Sequence, residues 1–323
     1  MDHLLPEITE DILSRLPIKS LVRFQSASKT WYALISDSYF GNLHFSRLSK
    51  NPKLLIFNGF GFKSLACETP LNDSGALVDL AFPGERHDWL PEIIGSSHGL
   101  ICITTDRCER FYVWNPSTGS CRRIPNLGYP INGCTDYLHG FGYDSSSNEF
   151  KEYYLPYCSP NLYASLGTYT NGALHWLVTK ISPMDRTRLD NQIIAFDLAN
   201  EKFRKVPIPV KFRLYEYIYY RKIVMWKMMD YGVKKSWTKW LTVRRFNYAK
   251  PLYISSSDEV VMLANNRFYK YNKKNKEKSE ISVNPYIFRA ATLFVDSIIS
   301  PGGEEYDWQS QNQKPSTKRK RFG

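Results

Sequence analysis

A chain of 323 residues with a formal charge of +12, of which 43 % are hydrophobic and 15 % aromatic, has room for a small module and one further domain of about 270 residues with a substantial core. No run approaches the roughly 18 consecutive apolar residues of a membrane span, and Asp2 and His3 do not form the basic lead of a secretory signal, so a soluble protein inside the cell is expected. The six cysteines (Cys67, Cys102, Cys108, Cys121, Cys134, Cys158) include no C-x-x-C pair, which leaves zinc without its usual ligand spacing and favours free thiols.

In chain order, the first segment carries Ile8, Ile12, Leu13 and Leu16 at helical spacing until Pro17 stops it. A second apolar group (Leu21, Val22, Phe24) lies between Lys19 and Ala27, and a third (Trp31, Leu34, Ile35) precedes Asp37 and Ser38, which end the helical pattern. Three short amphipathic segments in about forty residues are too few to stand alone, so their apolar faces should lie on the rest of the chain or on another protein. An ordinary helical cap on the following domain is the plain alternative.

From about residue 50 the helical period gives way to short alternating or apolar runs separated by Gly, Pro, Asn, Asp and Ser, which mark strands and tight turns. Four stretches share one plan: residues 111–125, 140–156, 192–209 and 267–283 each read as an aromatic-rich strand, a turn opened by Asn115, Asp144, Asp197 or Asn272, and a second strand. With a faint copy at Met228–Val233 the mean spacing is near forty residues, the period of a propeller blade, and the length allows about six blades. A β-sandwich with long loops is the structural alternative.

The order of residues in the N-terminal segment, L-P-E-I-x-x-D-I-L-x-R-L-P-x-K-S-L-x-R-F followed by Lys29, Trp31 and Leu34-Ile35, resembles the F-box. The resemblance implies three helices that dock a Skp-family adaptor, and through it cullin and RING subunits, with Leu4, Pro6, Ile8, Ile12, Leu16, Pro17, Leu21, Phe24 and Trp31 as adaptor contacts or the packing behind them. Two departures stand out. Leu5 takes the place of the proline of a Leu-Pro pair, and Ala27-Ser28 replaces the commoner Val-Cys, a loss of methyl groups that costs on the order of 1 kcal/mol at that contact. Further along, GSSHGLICI, VWNPSTGSCRRIP, FGYDSSSNEFK, NGALHWL, IIAFDLANEKFRKVPIP, SWTKW and YISSSDEVVML follow the order of the F-box-associated interaction domain of a large plant family that includes S-locus F-box-like and F-box/kelch-labelled proteins. That resemblance implies a C-terminal domain that captures the protein to be ubiquitinated. Phe150-Lys151-Glu152-Tyr153 departs from the family's β-branched run, which predicts a shortened strand.

No H-E-x-x-H, G-x-S-x-G or glycine-rich phosphate loop is present, and Gly140-Phe141-Gly142 lacks the third glycine of a dinucleotide site, so neither a catalytic site nor a cofactor is expected. His175 and the tryptophans Trp114, Trp176 and Trp240 read as core residues. Lys and Arg concentrate between Lys211 and Lys250 and in the tail, a pattern that speeds association with acidic partners. The tyrosines interleaved with them suit a half-buried strand better than base stacking, so a nucleic-acid partner is not expected.

The reading is therefore a mainly β protein with a small N-terminal α module: a three-helix F-box at 1–45, a kelch-like propeller domain at 46–300, and a disordered basic tail at 301–323 in which Lys318, Arg319, Lys320 and Arg321 fit a nuclear-import signal. Such a chain would be the non-catalytic receptor subunit of an SCF-type ubiquitin ligase in the nucleus, the cytoplasm or both, recruiting a target protein for degradation. Exposed loops carrying Phe60, Phe62, Asp136, Tyr137, Tyr217 and Tyr219 are the candidate target contacts. A glycan-binding or scaffold F-box protein acting outside a ligase is the alternative function.

Overall fold

The computed structural model describes residues 5–47, 51–68, 77–84, 91–105, 110–125, 137–156, 162–164, 166–181, 189–209, 222–244, 249–255, 258–265, 267–280 and 290–302. Helix α1 (Pro6–Leu13) begins with proline, whose fixed φ and missing N–H suit a first turn. Pro17 then closes α1 off and serves as the N-cap residue of α2 (Ile18–Gln25), and α3 (Lys29–Ser36) follows.

The helical pattern does not end at Asp37 and Ser38, as the sequence reading had it. Asp37 instead opens a fourth helix, α4 (Ser38–Arg47), its Oδ1 accepting the backbone N–H of Tyr39 at 2.8 Å and of Phe40 at 3.3 Å. This helix supplies what three short stripes lacked. Phe40 packs with Leu13, Ile18, Leu21 and Ile35, and His44, also buried, reaches back to Leu16 O at 2.9 Å through Nε2. The module thus has a small core, and one residue in it, Ile298, comes from the far end of the described chain.

Beyond the helices, the described residues form six antiparallel sheets. The first pairs β1 (Lys53–Phe57), β2 (Phe62–Ala66) and β3 (Val78–Leu80). The second runs β4 (Glu92–Ser97), β5 (Leu100–Thr105), β6 (Arg110–Trp114), β7 (Cys121–Ile124), and the third is β8 (Tyr137–Asp144) with β9 (Glu149–Pro156). In the fourth, β10 (Leu162–Ala164) and β11 (Thr168–Thr170) both pair β12 (Ala173–Ile181), which continues to β13 (Leu189–Asp197) and β14 (Lys202–Val206). The fifth is β15 (Lys222–Met228) with β16 (Trp237–Arg244), and the sixth runs β17 (Ala249–Ile254), β18 (Glu259–Ala264), β19 (Arg267–Asn272), β20 (Lys278–Glu280). The last strand, β21 (Ala290–Phe294), returns to pair β1, so the two ends of the β domain meet in one sheet.

Four of the six sheets hold four or five strands each, the arrangement of blades, and β4 lies beside both β8 and β21 while β17 also lies against β21. That is a propeller-like domain. Two large facing sheets, which the sandwich alternative requires, do not occur among the described residues.

The four hairpins read from sequence form as expected, each opened by the named side chain: Asn115 Oδ1 accepts Ser117 N at 2.8 Å, Asp144 Oδ1 accepts Ser146 N at 2.9 Å, Asp197 Oδ1 accepts Asn200 N at 2.9 Å, and Asn272 Oδ1 accepts Lys274 N at 2.9 Å. Asn58 does the same between β1 and β2, a copy the sequence reading missed. The expected shortening after Tyr143-Asp144 does not occur. Strand β9 is eight residues long and pairs β8 throughout, because Phe150 packs beside Phe141 and Tyr143, Tyr153 sets its ring against Phe196, and Lys151 reaches Asp144 at 2.9 Å. Pairing and packing outweigh a low intrinsic strand preference.

Segment 295–302 ties the helices to the blades. Asn115 Nδ2 donates to Ser297 O at 2.9 Å and Ile299 O at 2.8 Å, Lys53 meets Asp296 at 2.6 Å, and Ile298 and Ile299 face opposite ways, one into the helical core and the other among Leu100, Cys102, Phe111 and Phe141. Gly99, at φ +83°, lets the segment pass: a Cβ there would lie 2.2 Å from Ser297 Cβ and 2.6 Å from Val295 O.

Trp114 and Trp176 are core residues, whereas Trp240 is half-buried under the Lys273 ammonium, 5.1 Å from its ring centroid. His175 is half-buried rather than core, because it lies on the face of β12 opposite Trp176. Cys67, Cys102 and Cys121 are buried free thiols, and burial pushes Cys67 up to about 12. Cys108, Cys134, Cys158 and the tail 303–323, with its Lys318–Arg321 run, lie outside the described residues.

Candidate functional site

With the helical core filled by Leu13, Ile18, Leu21, Ile35, Phe40 and Ile298, a second apolar stripe stays bare on the outer side of α1. Leu5, Ile8 and Ile12 recur at helical spacing and are 64 %, 45 % and 47 % exposed. Pro6 and Pro17 are exposed beside them, and Leu16, Phe24 and Trp31 are half-buried, the last two in edge-on ring contact at 5.0 Å. Val22 and Tyr32 extend the bare surface onto α2 and α3.

The sequence reading grouped these residues by spacing and did not assign each to the inner or outer side. Leu21, placed among the docking contacts, is fully buried and belongs to the packing behind them. Leu5, Val22 and Tyr32 were not named as contacts, and their signal was the phase of the α1 and α2 stripes. Leu4 lies outside the described residues.

A charge cluster pins α1 to α4. Asp11 accepts from Arg15 at 3.0 Å and from Arg47 at 2.7 Å, and Arg47 also donates to the buried Ser14 hydroxyl. Arg15 first and Arg47 second hold the Asp11 carboxyl below its usual range. The cluster fixes the angle at which the stripe is presented. Nothing in the stripe is nucleophilic or titratable, so it can bind an apolar surface but cannot catalyse.

Of the target candidates, Phe60 sits 76 % exposed at the tip between β1 and β2, held by Asn58. Phe62 is 3 % exposed and cannot touch a target: it packs against Phe57, Phe82 and Trp114. Asp136, Tyr217 and Tyr219 lie outside the described residues, and Tyr137 is described only as the first residue of β8.

Comparison with known proteins fits this division. Residues 1–43 match the family model for the F-box domain. The chain is 24 % identical to the F-box/kelch-repeat protein At3g23880 of Arabidopsis thaliana over 93 % of its own length and 96 % of that protein's. F-box protein At5g49610 of the same plant is 30 % identical over 64 % of this chain and 65 % of its own length, and F-box protein CPR1 is 26 % identical over 91 % and 88 %. A chain in a crystal structure of a nidogen/laminin complex resembles the backbone with a TM-score of 0.43 at 10 % identity, covering 76 % of this chain and 99 % of that one, a likeness too weak to argue from. A matching N-terminal F-box and relatives aligned across both parts support a plant F-box protein with a C-terminal propeller-like β domain.

Proposed function

We propose that this F-box protein is the target-recognition subunit of an SCF-type ubiquitin ligase. The F-box is the signature of adaptors that select substrates. In this reading α1–α3 dock a Skp-family adaptor, which connects to cullin and RING subunits, and the β domain holds the protein to be ubiquitinated. The carrying observation is the bare Leu5–Ile8–Ile12 stripe on a module whose core is otherwise complete. Three large apolar side chains at one surface are what a permanent partner covers.

The mechanism is positional. The chain contributes no reacting group; it raises the effective concentration of a target lysine at the ubiquitin-charged enzyme. The complex works in the nucleus, the cytoplasm or both.

The test is recovery of a Skp-family adaptor with the full chain. Ile8→Asp with Ile12→Asp places carboxylates in a desolvated contact and should abolish recovery while leaving the melting temperature unchanged, since both residues are exposed. Full recovery with that variant would overturn the reading.

A further inference from the structure

A second unusual surface lies where the fourth sheet meets the turn between β15 and β16. Strand β14 is the outermost of its sheet, and its pairing with β13 and β12 sets His175, Ala195 and Arg204 in one row, so they share a face. Tyr231 of the turn lies on that row. The Arg204 guanidinium is 4.8 Å from its ring centroid and Nη2 donates to its hydroxyl at 2.6 Å, while His175 Nε2 meets the same hydroxyl. The turn is anchored further by Trp237 Nε1, which donates to Pro207 O at 2.7 Å, and by the Ser236 hydroxyl on Asp230 O and Val233 O at 2.8 Å.

This anchored turn shows solvent a mixture of apolar and basic side chains. Met229 is 59 % exposed, Val233 48 %, Tyr231 39 %, and Leu177 on the adjoining strand 46 %. Lys202, Arg204, Lys234 and Lys235 surround them, all exposed and none ion-paired to a described residue. Several cations elsewhere in the β domain are matched, Lys63 with Asp79, Lys151 with Asp144, Lys270 with Glu259 and Arg267 with Glu280, so what marks this surface is four cations gathered around exposed apolar side chains. Glu201 turns away to Lys151 and Tyr153, and Asp197 and the exposed Asp230 of the turn offset only part of the four positive charges, so the patch stays net basic.

We propose that this surface, the outer end of β14 with the Met229–Ser236 turn, is where the β domain takes its target, and that the target presents an acidic segment bearing apolar side chains. The inference rests on the receptor reading above and adds the chemistry of the substrate. The unmatched cations call for carboxylates, and Met229, Val233 and Leu177 call for side chains that a sugar-phosphate chain lacks. A fixed turn with Tyr231 clamped by Arg204 makes an anchor that needs little ordering on binding.

The full chain with its adaptor would be titrated with a short fluorescent peptide alternating Asp or Glu with Leu and Phe, with a neutral Ser/Gln peptide, and with an oligouridine of equal charge. The acidic apolar peptide should bind best, and Lys234→Glu with Lys235→Glu, or Tyr231→Ala, should weaken it about tenfold or more. Tyr231→Phe, which keeps the ring, should lose less. Absence of peptide binding, indifference to these variants, or tighter binding of the oligouridine would overturn the proposal. Adaptor recovery from the same samples separates the two readings: peptide binding that depends on Tyr231 without any adaptor recovery would refute the receptor role and leave the surface standing.

Discussion

The helical module and the β domain solve the same burial problem in opposite ways. In the β domain, each sheet covers its neighbours, and Trp114, Tyr112 and Trp176 vanish from the surface. In the module of α1–α4, about half the apolar side chains face inward and Leu5, Ile8 and Ile12 face out. A domain that closes on itself needs no partner to be stable; a module with two greasy sides has one to give away.

The comparison breaks most sharply at the boundary between the two sides of the module. Leu21→Asp buries a carboxylate in the helical core and should cost more than about 4 kcal/mol, unfolding the module; Ile12→Asp on the outer side should shift stability by less than about 0.5 kcal/mol. Thermal melts of the two variants read the difference, and equal losses would mean the stripe is covered from within.

The next largest effect should come from the strap that both regions share. Asn115→Ala strands the buried carbonyls of Ser297 and Ile299, and Ile298→Ala opens a cavity beneath Phe40, each costing roughly 2–4 kcal/mol. Hydrogen exchange should show the Asn115 variant loosening amides of the helices as well as of the blades. Protection lost in one region alone would show that they fold independently.

Two titrations sharpen the comparison further. Burial lifts the Glu152 carboxyl of β9 to about 7 from a usual 4.5, so the protonated form is favoured on folding. That contribution is fully present below pH 4.5 and lost as pH rises through 7; Glu152→Gln should therefore stabilise the β domain by about 3 kcal/mol at pH 8 and by little at pH 4.5. In the module the sign is reversed. Burial lowers His44 below its usual 6.5, and its bond to Leu16 O only partly opposes this, so stability is intact above pH 6.5 and falls as acid protonates the ring. The weakest effect expected is thus a loss of adaptor binding on acidification, measured by pull-down between pH 7.5 and 5.

How much of this was written in the sequence follows the range of the interactions. Asn115, Asp144, Asp197 and Asn272 announced their turns because each bonds its own backbone two or three residues on. The stripes of α1–α3 were visible for the same local reason. Helix α4 was not, since its apolar residues are spread around it and only Asp37 marked its start. Nor could periodicity say that Phe62 is core and Phe60 is not, as both are aromatic residues within one turn of each other. The second duty of Asn115, holding carbonyls 182 and 184 positions away, leaves no local trace.

The strap has a consequence for how the protein is made. Helix α2, α3 and α4 leave the ribosome early, yet Ile298, which completes their core, and β21, which completes the sheet begun by β1, are among the last described residues synthesised. Every blade must therefore be translated before the first helices gain their last neighbour. Stalled or prematurely terminated chains would lack both the side chain that completes the helical core and the strand that completes the first sheet, so neither region could settle before synthesis is nearly finished.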